Sequence, residues 1–142
     1  MEADRDHKGP FYPRGDWGRA RELEQQLDRG ERLSLDDETR ELLRAVGADV
    51  GLAPAHISER LKSREGAEDL LREERARITH GSRVLVAAMK TAWDHARAGN
   101  PEEGYAVLEK LLQTEPVPWH QECARREADR IRHWVEATRN RS

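Results

Sequence analysis

The sequence predicts an all-α fold, a compact bundle of about six helices built around one long central helix. Charged residues make up 37% of the 142-residue chain, hydrophobic ones 36% and aromatic ones 5%. A chain rich in Ala, Leu, Glu and Arg and poor in Ile, Thr, Phe and Tyr favours helices over strands. Apolar residues recur at three- and four-residue spacing, and no stretch alternates with the period of two that a strand requires.

Two helices are predicted in the first 50 residues, after a flexible leader at residues 1–15. Asp16 is a suitable N-cap for the first helix, and Gly30 is suited to end it in a left-handed C-cap. Ser34 and Asp37 form an S-x-x-D pattern that starts the second helix. The apolar faces of the two helices contain Trp17, Ala20, Leu23, Leu27, Leu42, Leu43, Val46 and Val50.

The third helix is short and the fourth is the long central one. Pro54 suits the first position of the third helix, which carries Ile57 and Leu61. The fourth is predicted at about 65–98, continuous through Gly81, because one mid-helix glycine costs only about 1 kcal/mol relative to alanine. Its apolar stripe consists of Ala67, Leu70, Leu71, Ile78, Ser82, Leu85, Val86, Met89, Trp93 and Ala96.

Prolines delimit the last two helices. Gly99-Asn100-Pro101 separates the fourth helix from a fifth, and Pro116 and Pro118 end the fifth helix. The sixth helix runs from about Trp119 to Thr138. Residues 16–139 are therefore expected to form one helical domain, followed by a frayed tail at 140–142.

Composition also indicates the cellular compartment of the protein and the classes of partner that it is expected to bind. The net charge of −3 provides no basic surface for nucleic acid. The single Cys123 cannot close an intrachain disulfide, which favours a reducing compartment. The first 16 residues contain no apolar core of a secretory signal, and no segment approaches the roughly 20 apolar residues that cross a bilayer. A cytoplasmic protein without membrane contact is expected.

Four landmarks are similar to the DUSAM domain, a bacterial family of unknown function with many paralogues. They are Asp16-Trp17, GERLSLDDETRELLR at 30–44, LLREERARITHGSRVL at 70–85 and EPVPWHQECA at 115–124. Their order and spacing carry the resemblance, which covers about residues 16–135. It implies one all-helical domain and supplies no catalytic residues.

The stretch DVGLAPAHISERLKS, residues 49–63, has the outline of a helix-turn-helix. The expected core position three residues after Ile57 is instead Arg60, and the segment that follows is rich in acid where phosphate contacts require Lys and Arg. The alternative is a structural corner that buries Leu52, Ile57 and Leu61. Its exposed residues His56, Glu59 and Arg60 are then candidates for binding a partner of any kind.

Metal and catalytic sites are poorly supported. His120 and Cys123 lie one helical turn apart, but zinc requires about four ligands and structural sites usually contain paired cysteines. His80 and His95 are the best acid–base candidates, and no phosphate-binding loop or nucleophile elbow accompanies them. We therefore predict no metal, no cofactor and no enzymatic activity.

A protein-interaction domain is the function that the sequence favours, as an adaptor or as an immunity-like inhibitor that occludes another protein. Tryptophan is enriched at interfaces. Trp119, which follows Pro118 at a helix start, and Tyr105 are the candidate contact residues, whereas Trp93 and Trp134 fit core positions. The partner is expected to be a protein or a second copy of the chain. The alternative is a DNA-binding transcriptional regulator that uses residues 53–62.

Overall fold

Six α-helices make up the part of the chain that the structure describes, residues 15–141 of a computed structural model. They are α1 (Gly15–Asp28), α2 (Asp37–Asp49), α3 (Pro54–Arg60), α4 (Arg64–Arg97), α5 (Pro101–Thr114) and α6 (Pro118–Asn140). No strand occurs within these residues. The all-α prediction is confirmed, and so is the long helix expected at about 65–98. Residues 1–14 of the predicted leader and Ser142 of the predicted tail lie outside the described residues.

The chain divides into two compact units, the first ending at Thr79 and the second beginning at His80. The boundary falls inside α4, so each unit contains one half of that helix. The single domain predicted over 16–139 stays a prediction. Within residues 15–141, no helix has the length and apolar character needed to cross a membrane.

The first unit has a core of aliphatic side chains from α1, α2, α3 and the first half of α4. Asp36 caps α2 by accepting a hydrogen bond from the Thr39 amide at 2.8 Å, so the cap lies between the two residues of the predicted start pattern. Gly51 has a φ of +81° in the turn before α3, a conformation that favours glycine. The buried aliphatic residues are Ala20, Leu23, Leu33, Leu43, Val46, Val50, Leu52, Ile57, Leu61, Ala67, Leu70, Leu71 and Ile78.

The second unit has a core cluster in which α5 and α6 pack with the second half of α4. Its buried members are Leu85, Ala92, Ala96, Leu108, Leu111, Ala124 and Ile131. The partly buried Trp93 and Trp134 pack against this cluster, as their positions on the predicted stripes indicated. Gly104 is buried because α5 approaches the α4 backbone closely, and a Cβ atom there would lie 2.6 Å from the Ala92 carbonyl oxygen.

The predicted stripe of α4 is wrong at two positions. Ser82 is exposed, and Val86 is 63% exposed. Gly81 is buried instead, because the side chain of His120 lies directly against its backbone. The glycine therefore provides space for a close approach between α4 and the start of α6.

We predict that Gly81→Ala destabilises the protein by about 1–2 kcal/mol. The added methyl group would collide with the His120 imidazole and lie 2.8 Å from Oε2 of Glu115. Overpacking of this kind costs about 1–3 kcal/mol, which exceeds the roughly 1 kcal/mol that alanine gains in helix propensity. Urea unfolding of the purified variant measures the change.

The matched control is Gly18→Ala in α1, where an added Cβ has no atom within 4 Å in the described residues. This variant should be as stable as the parent or more stable by up to about 1 kcal/mol. A stabilised Gly81→Ala variant would contradict the close approach.

Candidate functional site

A groove of about 560 Å³ lies between α5 and α6 in the second unit. These helices pair because Leu108 and Leu111 face Ala124 and Ile131 in the core cluster. The groove is lined by Glu102, Tyr105, Ala106, Leu108, Glu109, Leu112, Arg125, Ala128, Asp129 and Arg132. It combines an apolar floor with charged groups of both signs.

Tyr105 is the aromatic residue of this groove. Its ring is half-buried, and the guanidinium carbon of Arg132 lies 4.9 Å from the ring centroid. Cation–π stacking of this kind restricts the conformations of both side chains. Leu112 is also half-buried and packs against the core cluster, so the floor of the groove is anchored.

Trp119 does not line the groove. It lies in the first turn of α6, half-buried, with the guanidinium carbon of Arg126 5.8 Å from its ring centroid. The two aromatic candidates therefore belong to different surfaces of the second unit. A role for Trp119 in partner binding stays a prediction.

His56, Glu59 and Arg60 lie on α3 in the first unit. Leu52, Ile57 and Leu61 of the same corner are buried, as the structural interpretation of this stretch predicts. Nε2 of His56 lies 2.7 Å from Oε1 of Glu73 on α4, and Arg60 lies 4.0 Å from Asp69. Glu59 is exposed and pairs with Lys62 at 3.0 Å. The α3 charges thus have ionic neighbours within the unit, and their role in partner binding is untested.

A buried polar pair links the α5–α6 turn to the first turn of α6 and lies against Gly81 of α4, and the sequence did not reveal it. Nδ1 of His120 lies 3.0 Å from Oε2 of Glu115, and both side chains are 4% exposed. The Val117 amide donates to the same carboxylate oxygen, and the Glu115 carbonyl accepts from the Gln121 side chain. His120 is therefore a structural partner of Glu115 in the turn.

The predicted pair His120 and Cys123 shows no sign of an activated thiol. Burial raises the pKa of Cys123, which disfavours the thiolate that metal binding and nucleophilic attack require. In the part of the chain that the structure describes, no three His, Cys, Asp or Glu residues are grouped to hold a metal ion. His80 is exposed, and His95 lies 3.2 Å from Glu103.

Glu74 is the most unusual titratable group of the first unit. Its side chain is fully buried, and neither carboxyl oxygen has a hydrogen-bond partner among residues 15–141. Gly47 lies beside it, since a Cβ atom added at Gly47 would be 3.0 Å from Oε2 of Glu74. Desolvation, with a smaller contribution from the charges of Glu73 and Asp49, raises its pKa to about 9. The carboxyl is therefore neutral at pH 7.

The described residues define a small all-α protein whose α5–α6 hairpin carries a groove with apolar and charged lining. Residues 15–131 match a family described as "protein of unknown function (DUF2379)". This match covers most of the chain, and the protein belongs to that family. The more specific resemblance to the DUSAM domain stays a prediction, although both descriptions agree on unknown function.

Two further comparisons gave no match. No curated protein and no solved structure is significantly similar to the chain.

We predict that Glu74→Gln stabilises the protein at neutral pH and removes part of its pH dependence. The carboxyl ionises near its usual 4.5 in the unfolded chain but keeps its proton up to about pH 9 in the folded one. Between these values the folded state binds more protons, so the free energy of unfolding falls as pH rises. At about 1.4 kcal/mol per pH unit, the free energy of unfolding of the parent protein decreases by about 3 kcal/mol between pH 5 and pH 7.

Urea unfolding at pH 5, 7 and 8.5 tests this expectation. Glu74→Gln should equal the parent at pH 5 and exceed it increasingly as pH rises. Glu41→Gln removes an exposed charge on α2 and should follow the parent throughout, because surface ion pairs contribute little. Parallel curves for Glu74→Gln and the parent would show that Glu74 is ionised in the folded protein.

Proposed function

We propose that this protein is a non-enzymatic protein-interaction domain, an adaptor or an inhibitor that occludes its target, and that it binds its partner in the α5–α6 groove. The observation that carries the proposal is the half-buried, cation-stacked Tyr105, which lines this groove together with Leu112. Tyrosine and arginine are enriched among the residues that dominate binding energy at interfaces.

The charges around the groove indicate the type of partner. Arg125 and Arg132 lie on the α6 side, and Glu102 and Glu109 on the α5 side. The α6 wall also carries Asp129, which pairs with Arg132 at 2.8 Å, so charges of both signs border the groove and favour a partner with charges on both sides of an apolar face. An amphipathic helix meets this requirement, with apolar residues at i, i+3, i+4 and i+7 facing the floor. The helix can come from another protein or from a second copy of the chain.

We predict that Tyr105→Ala weakens partner binding at least about 30-fold, the effect of losing roughly 2 kcal/mol from an interface hot spot. Affinity capture from the extract of its own cells identifies the partner, and calorimetry with the purified partner measures the loss. Sedimentation of the chain alone determines whether a second copy is the occupant, in which case the same variant should shift the dimer to monomer.

A charge reversal separates binding from folding. Because Tyr105 packs against the core, its removal also affects stability. Arg125→Glu alters an exposed residue on the groove wall and should weaken binding without unfolding the protein. The matched control Arg44→Glu alters an exposed arginine of α2 and should bind like the parent. Equal binding by all three variants would place the interface elsewhere.

DNA recognition by residues 53–62 has less support. The basic groups of the corner, Arg60 and Lys62, lie beside the carboxylates of Asp69 and Glu59, which compete with phosphates for them. We expect no retardation of duplex DNA in gels at low salt. A retarded complex that disappears with Arg60→Ala would favour the regulator over the interaction domain.

A further inference from the structure

A second, smaller pocket lies where α4 ends, α5 begins and α6 ends. Its volume is about 290 Å³, and its lining includes Ala96, Arg97, Pro101, Trp134, Val135 and Arg139. We call it the Trp134 pocket after its aromatic residue. Ala96 is buried, and Pro101, Trp134 and Val135 are half-buried. These four residues give the pocket apolar walls.

The aromatic part of this pocket is held in place. The rings of Trp134 and Trp93 meet edge to face, with centroids 5.7 Å apart and planes at 72°. The Trp93 indole N–H donates to the buried carboxylate of Glu127, which fixes the second ring. Preorganised aromatic surfaces bind with little loss of side-chain entropy.

Two exposed arginines flank the pocket. Arg97 lies over the Trp93 ring, with its guanidinium carbon 5.0 Å from the centroid. Neither Arg97 nor Arg139 forms an ion pair with any residue between 15 and 141. By contrast, Arg72 and Arg75 both pair with carboxylates. Two guanidinium groups beside an apolar pocket are therefore available for anions from outside.

The volume of the pocket restricts the size of the group that it can bind. Ligand pockets for drug-sized molecules measure about 300–1,000 Å³, so this one suits a single large apolar side chain. We propose that the Trp134 pocket binds an apolar residue flanked by acidic residues in a partner protein. This inference shares one assumption with the proposed function, namely that the partner is a protein. The Trp134 pocket itself is a different site from the Tyr105 groove.

Nuclear magnetic resonance of the ¹⁵N-labelled full chain tests the proposal. The chain has four tryptophans, whose indole N–H signals are assigned with single Trp→Phe variants. The probe is the synthetic peptide Asp-Glu-Phe-Glu-Asp, and its control is Lys-Arg-Phe-Arg-Lys. The acidic peptide should shift the Trp134 signal to saturation and leave that of Trp17, in the first unit, unchanged. The basic peptide should shift neither.

The arginines are tested by a double variant. Arg97→Gln with Arg139→Gln should weaken binding of the acidic peptide at least tenfold and reduce its salt dependence. The matched pair Arg19→Gln with Arg44→Gln, on α1 and α2, should bind it like the parent. An unshifted Trp134 signal, equal shifts with both peptides, or an unaffected double variant would each overturn the proposal.

The two proposals fail in different ways. A partner that is lost with Tyr105→Ala but retained by the Arg97/Arg139 double variant supports the groove and overturns the role of the Trp134 pocket in that complex. A saturable, arginine-dependent shift with no partner bound in the groove supports the pocket and overturns the proposed groove interface.

Discussion

The contact between Gly81, Glu115 and His120 is the constraint on which the second unit depends. Pro116 lies in the turn that leads into α6 and Pro118 is the first residue of α6, and neither has a backbone N–H to donate. Glu115 orders this turn instead, through the Val117 amide and the His120 ring, while its own carbonyl accepts from Gln121. Since α6 forms one wall of both the groove and the Trp134 pocket, their shape depends on where this turn fixes its start.

The buried carboxylates of the two units differ in whether they have hydrogen-bond partners. Glu115 and Glu127 have hydrogen-bonded partners, so the cost of their burial is offset by charge-assisted contacts. Glu74 has none among the described residues, and its neutral form persists because ionisation without a partner would cost more than keeping the proton. Glu74 lies in the first unit, while the groove and the pocket lie in the second.

Local chemistry was sufficient to predict the helices but not their buried polar contacts. Gly30, Pro54, Pro101 and Pro118 mark helix ends directly, because each restricts the backbone within one or two residues. The burial of His120 in its contact with Glu115 was missed because Gly81, against which His120 lies, is 39 positions away in sequence. Ser82 and Val86 were misplaced because a helical stripe in a 34-residue helix does not reveal which segments are covered by neighbours.

The groove and the Trp134 pocket lie along one face of α6. This arrangement determines which residues a single partner would need, and at what spacing, to contact both sites. Arg125, Arg132 and Arg139 recur every seven residues, which returns each of them to nearly the same side of the helix. Arg125 and Arg132 line the groove, and Arg139 lines the pocket. At 1.5 Å per residue the row extends over about 21 Å. A helix of about four turns, with acidic residues at heptad spacing and one large apolar residue near its end, would match the whole row. Occupying both sites at once would raise its affinity through effective concentration, without any further contact.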